Sequence, residues 1–345
     1  MGVDTHARNH VYALLRAATG EVLDTGEFPT NSAGINRAIA WAAQRTGKDN
    51  ATLWVIEGAA TYGAILAATL AARGHSLAEA ARMDTGNRHG VGKSDTLDAH
   101  RIAAAVLGLK EYQLRRPRLH QGVRASLQVL VSARESMSAE RTRAINALTA
   151  LLRIHELGID ARTSLSASQI KNVSRWRTRE EPLATATARS EARRLAERII
   201  TLNTDLTTNH ARVRALVEIS EAAPLLEETG IGPITAAICL TAWSHHGRIR
   251  SEAAYASLAG VNPIPASSGN TIRHRLNRGG DRRLNHALHT AALVRMTHDR
   301  QTRAYVHKRT TEGRTTREIR RCIKRYLARR IYRTLNSTTP TTTPT

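Results

Sequence analysis

Residues 53–57 read Leu53-Trp54-Val55-Ile56-Glu57, a short apolar run that ends in a carboxylate. Four consecutive apolar residues bounded by polar ones predict a buried strand. Helical patterns lie on both sides of this run: Ile35, Ile39 and Ala42 share one face of an amphipathic helix, and residues 61–72 predict another helix. A buried strand between helices is typical of an α/β domain.

The α/β pattern extends in both directions along the chain. Residues 11–15 and 21–28 flank an Ala-Thr-Gly turn and predict a β-hairpin. Residues 95–107 predict a helix that follows a glycine-rich stretch. We therefore predict a single α/β domain over residues 1–112.

The central region, residues 113–220, is predicted to be a helical coiled-coil region. Apolar residues step by four and three along residues 195–216, with Asn209 as a polar member of the seam, and residues 123–151 follow a looser version of the same spacing. The spacing predicts either an antiparallel helical hairpin or a dimerising coiled coil, and Asn209 either sets its register or is an exposed residue of a simple core helix. Residues 158–185 are predicted to be the break between the two arms.

The last part of the chain is helical and strongly basic. Residues 221–333 are predicted to form a C-terminal domain that ends in a helix crowded with arginine and lysine. Residues 334–345 are rich in threonine and proline and are predicted to be a disordered tail, because they have no apolar surface to bury. The fold class predicted for the whole chain is α/β plus α.

The charge of the chain narrows the class of partner. The 345 residues include 51 Lys and Arg against 29 Asp and Glu, which gives a net charge of +22. This excess favours nucleic acid over an anionic membrane, and a solvated basic surface or a ribosome-type structural protein is the alternative. Aromatic residues make up only 3% of the chain, which argues against base-stacking platforms for single strands.

The cysteines and the hydropathy of the chain indicate its compartment. Cys239 and Cys322 lie far apart and in no metal-ligand spacing, as is usual for thiols in a reducing cytoplasm. No apolar run reaches the length of a membrane span, and no signal-peptide pattern opens the sequence. We expect a soluble, cytoplasmic protein.

Four acidic residues occupy positions that favour a shared site. Asp4 is expected on the first strand, Glu57 ends the buried strand, and Asp95 and Asp98 share one face at the start of a helix. If that helix lies across the strand ends, the four carboxylates converge, and Mg²⁺ or Mn²⁺ would relieve their repulsion. Two such ions support phosphoryl transfer. Alternatively, the acids at the helix start only complement the helix dipole.

A second pattern that suits phosphate chemistry lies in the C-terminal region. Ser267-Ser268-Gly269 is followed by five arginines: Arg273, Arg275, Arg278, Arg282 and Arg283. A serine beside arginines can attack phosphorus because the cations stabilise the developing charge, and a loop with solvated arginines is the alternative. Upstream, Gly230-Ile231-Gly232 is either a phosphate seat before a helix or ordinary helix punctuation.

Three ordered blocks resemble the DEDD motifs of a known family: Gly2-Val3-Asp4-Thr5-His6, then Glu57-Gly58 with Thr61-Tyr62-Gly63, then Gly92-Lys93-Ser94-Asp95-Thr96-Leu97-Asp98-Ala99. The family is the insertion-sequence transposases related to the Piv DNA invertase, numbered one hundred and ten among insertion-sequence families. A stretch over about 225–312 resembles the C-terminal transposase domain of the same family.

The resemblance implies a RuvC-like, RNase H-type N-terminal domain in which the four carboxylates bind Mg²⁺ or Mn²⁺. It implies that Ser268, the serine directly before glycine, is the nucleophile, with Ser267 as the fallback. The two parts, contributed by different subunits of a dimer or tetramer, would form one composite site. That site would exchange DNA strands through a phosphoserine link and a Holliday-junction-like intermediate.

The same resemblance implies two nucleic-acid partners. Double-stranded DNA at the element ends and at the target is one, and a structured bridge RNA that selects these DNAs is the other. Lys93 and the five arginines around the serine pattern are the expected contacts to nucleic acid. We therefore predict a DNA transposase, an enzyme that breaks and rejoins phosphodiester bonds.

Two alternatives remain at this point. A site-specific invertase or a Holliday-junction resolvase-like nuclease would work without a guide RNA, and a resolvase would need no serine. An inactive DNA-binding remnant is favoured by the N-terminus, where only Met1-Gly2-Val3 precede Asp4 although the family usually has several apolar strand residues there. A clipped first strand would weaken the fold or misplace Asp4.

Overall fold

The computed structural model describes residues 1–49, 51–80, 94–118, 121–267 and 274–338. The chain divides into two compact units. The first consists of Met1–Gly122 with Trp243–Ala254, and the second of Val123–Ala242 with Tyr255–Thr345. The described part of the first unit contains a mixed sheet with helices, and that of the second is mainly helical, which confirms the predicted combination of α/β and α structure.

The first unit is built on a five-stranded sheet in the described residues, with strand order β3-β2-β1-β4-β5. In chain order its elements are β1 (Gly2–Thr5), β2 (Asn9–Leu15), β3 (Val22–Pro29), α1 (Ser32–Arg45), β4 (Trp54–Ile56), α2 (Ala64–Ala72), β5 (Leu77–Glu79) and α3 (Asp95–Ala104). The strands β1, β2 and β3 are antiparallel neighbours, whereas β4 is parallel to both β1 and β5.

The two faces of this sheet carry separate apolar clusters, because side chains alternate along each strand. Val3 and Tyr12 belong to a cluster with buried residues of α1 and α2. Val11 and Ala13 point to the other face, where they pack with residues of α3. The helix α3 therefore covers the face opposite to α1 and α2.

The sequence patterns predicted most of this unit. The hairpin of β2 and β3, the buried strand β4 and the helices α1, α2 and α3 are all confirmed. The short strand β5 was not predicted, because three residues are too few to show a period. Each of the four residues of β1 pairs with a residue of β2, so Asp4 lies inside a formed strand despite its shortness.

From residue 122 onward the chain is largely helical. Its elements are α4 (Gly122–Ile154), α5 (Ala167–Ser174), α6 (Leu183–Glu218), α7 (Pro233–Trp243), α8 (Glu252–Leu258), β6 (Pro263–Pro265), β7 (His274–Leu276), α9 (Arg282–His298), α10 (Arg300–Thr311) and α11 (Thr316–Ser337). The helix α11 includes residues 334–337, which were predicted to belong to the tail, and residues 339–345 lie outside the described residues. The three predicted domain boundaries stay predictions.

The long helices α4 and α6 run antiparallel within one chain. The Asn209 side chain donates to the Leu130 carbonyl oxygen at 3.0 Å, and Glu140 pairs with Arg198 at 2.6 Å, so contacts advance along α4 while they retreat along α6. Of the two predicted arrangements, the antiparallel helical hairpin is therefore the one that α4 and α6 form within the chain. Because Asn209 is buried and bonded to the opposite arm, it can contribute to the register of the pair.

The predicted break between these arms contains a helix. Ile170 and Val173 of α5 are buried in the same cluster as Leu148 of α4 and Ile199 of α6. The two arms are interrupted where predicted, since α4 ends at Ile154 and α6 begins at Leu183, but the short helix α5 within the break was not predicted. This helix gives no clear periodic signal in the sequence because it is only two turns long and its packing partners are distant in the chain.

The helices of the described residues differ from a membrane-spanning helix in length or in apolar character. None of them combines the length and the apolar character that crossing a bilayer demands.

Gly2 provides a test of how closely α3 packs on the sheet. A Cβ atom added to Gly2 would lie 2.1 Å from the carbonyl oxygen of Ala99 in α3. We expect Gly2→Ala to lower the free energy of unfolding by about 3 kcal/mol, because a helix backbone cannot yield as a flexible side chain can. Urea-induced unfolding measures this change.

The matched control is Gly232→Ala, since an added Cβ there meets no atom within 4 Å. That variant should unfold within about 0.5 kcal/mol of the unsubstituted protein. Equal stability of the two variants would contradict the tight seating of α3 on β1.

Candidate active site

The strand β1 presents Asp4 to the face of the sheet that α3 covers. Gly2 and Asp4 are two residues apart and so share that face, and Gly2 lies directly under Ala99 of α3. The absence of a side chain at Gly2 lets the helix come down onto the strand. As a result Asp4, which is buried, lies beneath the start of α3.

The first turn of α3 supplies the second and third carboxylates. Ser94 caps this helix, since its hydroxyl oxygen accepts from the Leu97 amide at 3.3 Å. Asp95 is exposed, whereas Asp98 is buried and pairs with Arg101 at 3.2 Å. The positive end of the helix dipole stabilises acidic residues at this position, so the fold tolerates two of them beside Asp4.

A histidine that the sequence analysis did not assign to the site joins Asp4 and Asp95. The Nε2 atom of His6 lies 3.2 Å from Oδ2 of Asp4 and 3.6 Å from Oδ2 of Asp95. One ligand atom from each of these three residues lies within 4.8 Å of the others, which is close enough for a single metal ion. The signal was present in the sequence, because an Asp-x-His pattern at a strand end places both side chains on one face.

The electrostatics of Asp4 reflect this crowding. Burial is the main cause that raises the pKa of Asp4 above its ordinary value of 3.8, and the Asp98 and Asp95 carboxylates raise it further. The nearby His6 acts in the opposite direction, through its charge and its hydrogen bond. The ionised form of Asp4 is therefore only partly compensated by the protein, and a bound cation would favour it.

Glu57 comes directly after β4, at the same edge of the sheet as Asp4. Val3 pairs with Ile56 in parallel register, and the Glu57 amide donates to the Val3 carbonyl oxygen at 3.0 Å. Asp4 and Glu57 thus follow equivalent positions of two neighbouring strands. The compact set of ligand atoms in the described residues consists of Asp4, His6 and Asp95, and the carboxylates of Glu57 and Asp98 are not members of it.

The predicted serine pattern follows β6 in the sequence, and we call the paired strands β6 and β7 the serine hairpin. The strands β6 and β7 pair antiparallel, with Pro263 opposite Leu276 and Pro265 opposite His274. Ser267 is exposed just beyond β6. Ser268 lies outside the described residues, as do Arg273 and Lys93, so the predicted roles of these three stay predictions.

The remaining predicted arginines lie on β7, in the segment after it and at the start of α9. Arg275 on β7 is exposed, as are Arg278 and Arg282. Arg283 forms an ion pair with Glu135 of α4. Three of the four described arginines are therefore exposed to solvent, as contacts to nucleic acid require.

The Gly-x-Gly turn before α7 has a packing role. An added Cβ on Gly230, which has a φ of +85°, would lie 2.7 Å from the Ala291 carbonyl oxygen of α9. Ile231 between the glycines is buried. This turn holds α9 close, which favours helix punctuation over the phosphate seat.

The carboxylate pattern and the serine pattern lie in a chain that is similar to known insertion-element proteins. The chain is 28% identical to the insertion element IS110 43.6 kDa protein of Streptomyces coelicolor, over 66% of each chain. It is 26% identical to the insertion element IS900 42 kDa protein of Mycobacterium paratuberculosis, over 91% of this chain and 89% of the relative.

Two family models match the chain in separate regions. One, for the IS110 DEDD transposase, matches residues 1–156, and the other, described as "Transposase IS116/IS110/IS902 family", matches residues 222–307. Together they cover more than two thirds of the chain. The chain belongs to the IS110 transposase family. The first matched region of this transposase contains the four predicted carboxylates and His6, and the second contains the serine pattern with its arginines.

The raised pKa of Asp4 predicts how the stability of the transposase depends on pH. Because folded Asp4 holds its proton more tightly than the unfolded chain does, its contribution to stability falls as pH rises from 3.8 through the raised value. We expect Asp4→Asn to raise the melting temperature at pH 7 in the absence of divalent cations, and to raise it less as the pH approaches 4. Thermal unfolding across this range in the presence of a chelator measures the effect.

Asp24→Asn is the control with the opposite sign. A hydrogen bond from Arg45 is the main cause that lowers the pKa of Asp24, so its ionised form stabilises the fold at neutral pH and that stability is lost as pH falls. This variant should melt lower at pH 7. If Asp4→Asn also melted lower there, Asp4 would not be a destabilising carboxylate.

Proposed function

We propose that this transposase cuts and rejoins DNA with a metal site formed by Asp4, His6 and Asp95, helped by Glu57 and Asp98. The observation that carries the proposal is the convergence of three ligand atoms within 4.8 Å, one of them from a buried carboxylate. The family supports DNA as the substrate, since both matched models describe transposases.

The donor atoms suit a divalent cation. Carboxylate oxygens favour Mg²⁺ and Mn²⁺, and an imidazole nitrogen in the set favours Mn²⁺ of the two. The site also has a reason to bind a cation, because Asp4 is buried beside two other carboxylates. When bound, such ions activate the attacking oxygen of a phosphoryl transfer and stabilise the leaving one.

The residues around the site have distinct roles in this proposal. Asp4 and Asp95 hold the cation, and His6 either joins them as a ligand or orients Asp4 through its hydrogen bond. Glu57 completes the ligand set from the adjacent strand end. Asp98, which is paired with Arg101, adds negative charge beneath the site. We infer a RuvC-like, RNase H-type fold for this unit, supported by the position of these residues at the ends of two parallel strands and on a covering helix.

The serine hairpin supplies the nucleophile in the proposed reaction. The hydroxyl oxygen of Ser268 forms a bond to phosphorus, the bond from phosphorus to one deoxyribose oxygen breaks, and that oxygen leaves with a proton as a hydroxyl group. The strand is then held as a phosphoserine ester until a second hydroxyl reverses the step. Exposed Arg275, Arg278 and Arg282 are placed to stabilise charge on the phosphate oxygens.

We extend the proposal to assembly and guidance. Composite sites need at least two subunits, so we propose a dimer that pairs into a tetramer. A bridge RNA is proposed as the second nucleic-acid partner, and the net charge of +22 supports the binding of both DNA and RNA. The activity is proposed to take place in the cytoplasm.

A metal titration tests the carboxylate site without DNA. We expect Mn²⁺ to raise the melting temperature of the protein in a concentration-dependent way, and Asp4→Asn and Asp95→Asn to lose this effect because a ligand is gone. The same two variants should cut DNA that carries the element ends at least about 100-fold more slowly. Differential scanning fluorimetry and a gel cleavage assay provide the two measurements.

Asp205→Asn is the matched control, since Asp205 is an exposed carboxylate on α6. Its response to Mn²⁺ should equal that of the unsubstituted protein. Loss of the response in this control, or its retention in Asp4→Asn, would refute the site. His6→Gln separates the two roles of His6: a ligand role lowers the affinity for Mn²⁺, whereas an orienting role preserved by the amide leaves it nearly unchanged.

Ser268→Ala tests the nucleophile. We expect this variant to lose both strand exchange and the covalent protein–DNA product, because alanine has no oxygen to bond to phosphorus. Denaturing gels with end-labelled DNA detect the covalent product, and Ser267→Ala in parallel tests the neighbouring hydroxyl. Full activity of Ser268→Ala would favour a resolvase-like nuclease that depends on the carboxylates alone.

A further inference from the structure

Helices α9 and α11 bring a group of basic side chains together. Arg320 and Lys324 lie one turn apart on α11, and His286 and His289 lie on α9. The charges of Arg320 and Lys324 act on His289, as does that of His286. We call these four residues the α9–α11 cationic cluster. It is partly accessible, since His286 is exposed and the other three are half-buried.

The protein supplies little compensation for this cluster. Lys324 donates to the Asn285 side-chain oxygen at 2.6 Å, a neutral partner. The Nε atom of Arg320 is buried and has no hydrogen-bond partner among the described residues. Burial is the main cause that lowers the pKa values of Lys324 and His289, and each charged neighbour that lowers them further is a cation. Two like charges held this closely destabilise the fold unless an anion joins them.

Other buried cations of the same unit are treated differently. Arg189 pairs with Glu181, and Arg295 pairs with Glu228 and Asp299. In each case a carboxylate meets the guanidinium group in the interior. The cationic cluster, by contrast, has no ion pair with a carboxylate in the part of the chain that the structure describes.

The cluster is joined to the base of the serine hairpin. Asn285, which accepts from Lys324, donates through its side-chain amide to the Ala259 carbonyl oxygen at 2.7 Å. Ala259 and Gly260 lead into β6, and an added Cβ on Gly280 would lie 2.3 Å from the Gly260 amide nitrogen. The segment before β6 and the segment after β7 therefore meet beside the cluster.

We propose that the α9–α11 cationic cluster binds a phosphate group of the DNA backbone and holds it at the base of the serine hairpin. The proposal rests on the proposed function for the identity of the DNA. Lys324 and Arg320 would donate to the phosphate oxygens, and the histidines would add donors at the rim. A phosphate contact of this kind positions the duplex without reading its sequence. The phosphate would supply the negative charge that no carboxylate of the described residues brings to the cluster.

Binding of a short mixed-sequence DNA duplex tests this seat. We expect Lys324→Met to weaken binding by the full-length protein about tenfold, and to reduce the slope of log K against log salt concentration by about one, because one phosphate contact is lost. Fluorescence anisotropy at several salt concentrations measures both quantities. A chelator is present throughout, so the result does not depend on a metal ion at the carboxylate site.

Lys308→Met is the matched control. Lys308 is an exposed lysine on α10, and its loss changes the net charge by the same amount. This control should change affinity less than about twofold, since it removes only long-range attraction. Equal losses in Lys308→Met and Lys324→Met would overturn the proposal, and strand exchange that persists in Lys324→Met would show that the proposed function survives this failure.

Inorganic phosphate tests whether the cluster binds a single phosphate group, independently of the rest of the DNA duplex. At constant ionic strength, phosphate in place of chloride should raise the melting temperature of the unsubstituted protein and of Lys308→Met. It should not do so for Lys324→Met or Arg320→Met, which are expected to melt higher than the unsubstituted protein without phosphate because like-charge repulsion is relieved. An identical phosphate response in all four proteins would contradict a seat at this cluster.

Discussion

The contact between β1 and α3 across Gly2 is the constraint on which the candidate site depends. Only a residue without a side chain lets the helix backbone approach the strand at this point. Once α3 is seated there, its first turn must lie over Asp4, so the packing of the sheet and the crowding of the carboxylates have one cause. The repulsion that follows is reduced by His6, by Arg101 and by the helix dipole, and it is not removed.

The sequence predicted those parts of the fold that have a local period or a local cap. The amphipathic α1, the apolar β4 and the capped start of α3 are visible in consecutive residues, and so are Asp4 and Asp95 as candidates. Elements that depend on distant partners were missed. β5 and α5 are too short to show a pattern of their own, and each is defined by what packs against it. The contact of His6 with Asp95 also depends on a distant partner, whereas its position two residues after Asp4 was a local signal that the sequence analysis did not use.

Each unit brings charges of one sign together with incomplete compensation, carboxylates in the first unit and cations in the second. In the first, buried Asp4 lies with two further carboxylates; in the second, Lys324 and Arg320 lie together with histidines. By contrast, the buried Arg295 forms ion pairs with two carboxylates, those of Glu228 and Asp299. Like charges that lie close together with incomplete compensation lower the stability of the fold, and this cost is the reason that both groups are proposed to bind a ligand of opposite charge.

The serine hairpin depends on neighbouring segments for its position. Its strands are three residues long and largely exposed, so the pair has little stability of its own. Its position is set instead by the packing of Gly280 on Gly260 and by Asn285, which bonds the segment before β6 and also accepts from Lys324. A phosphate bound to Lys324 would therefore restrain Asn285 and, through it, the segment before β6. If the cationic cluster binds a DNA phosphate as proposed, that phosphate and the hairpin of the proposed nucleophile would be connected through a single amide side chain, that of Asn285.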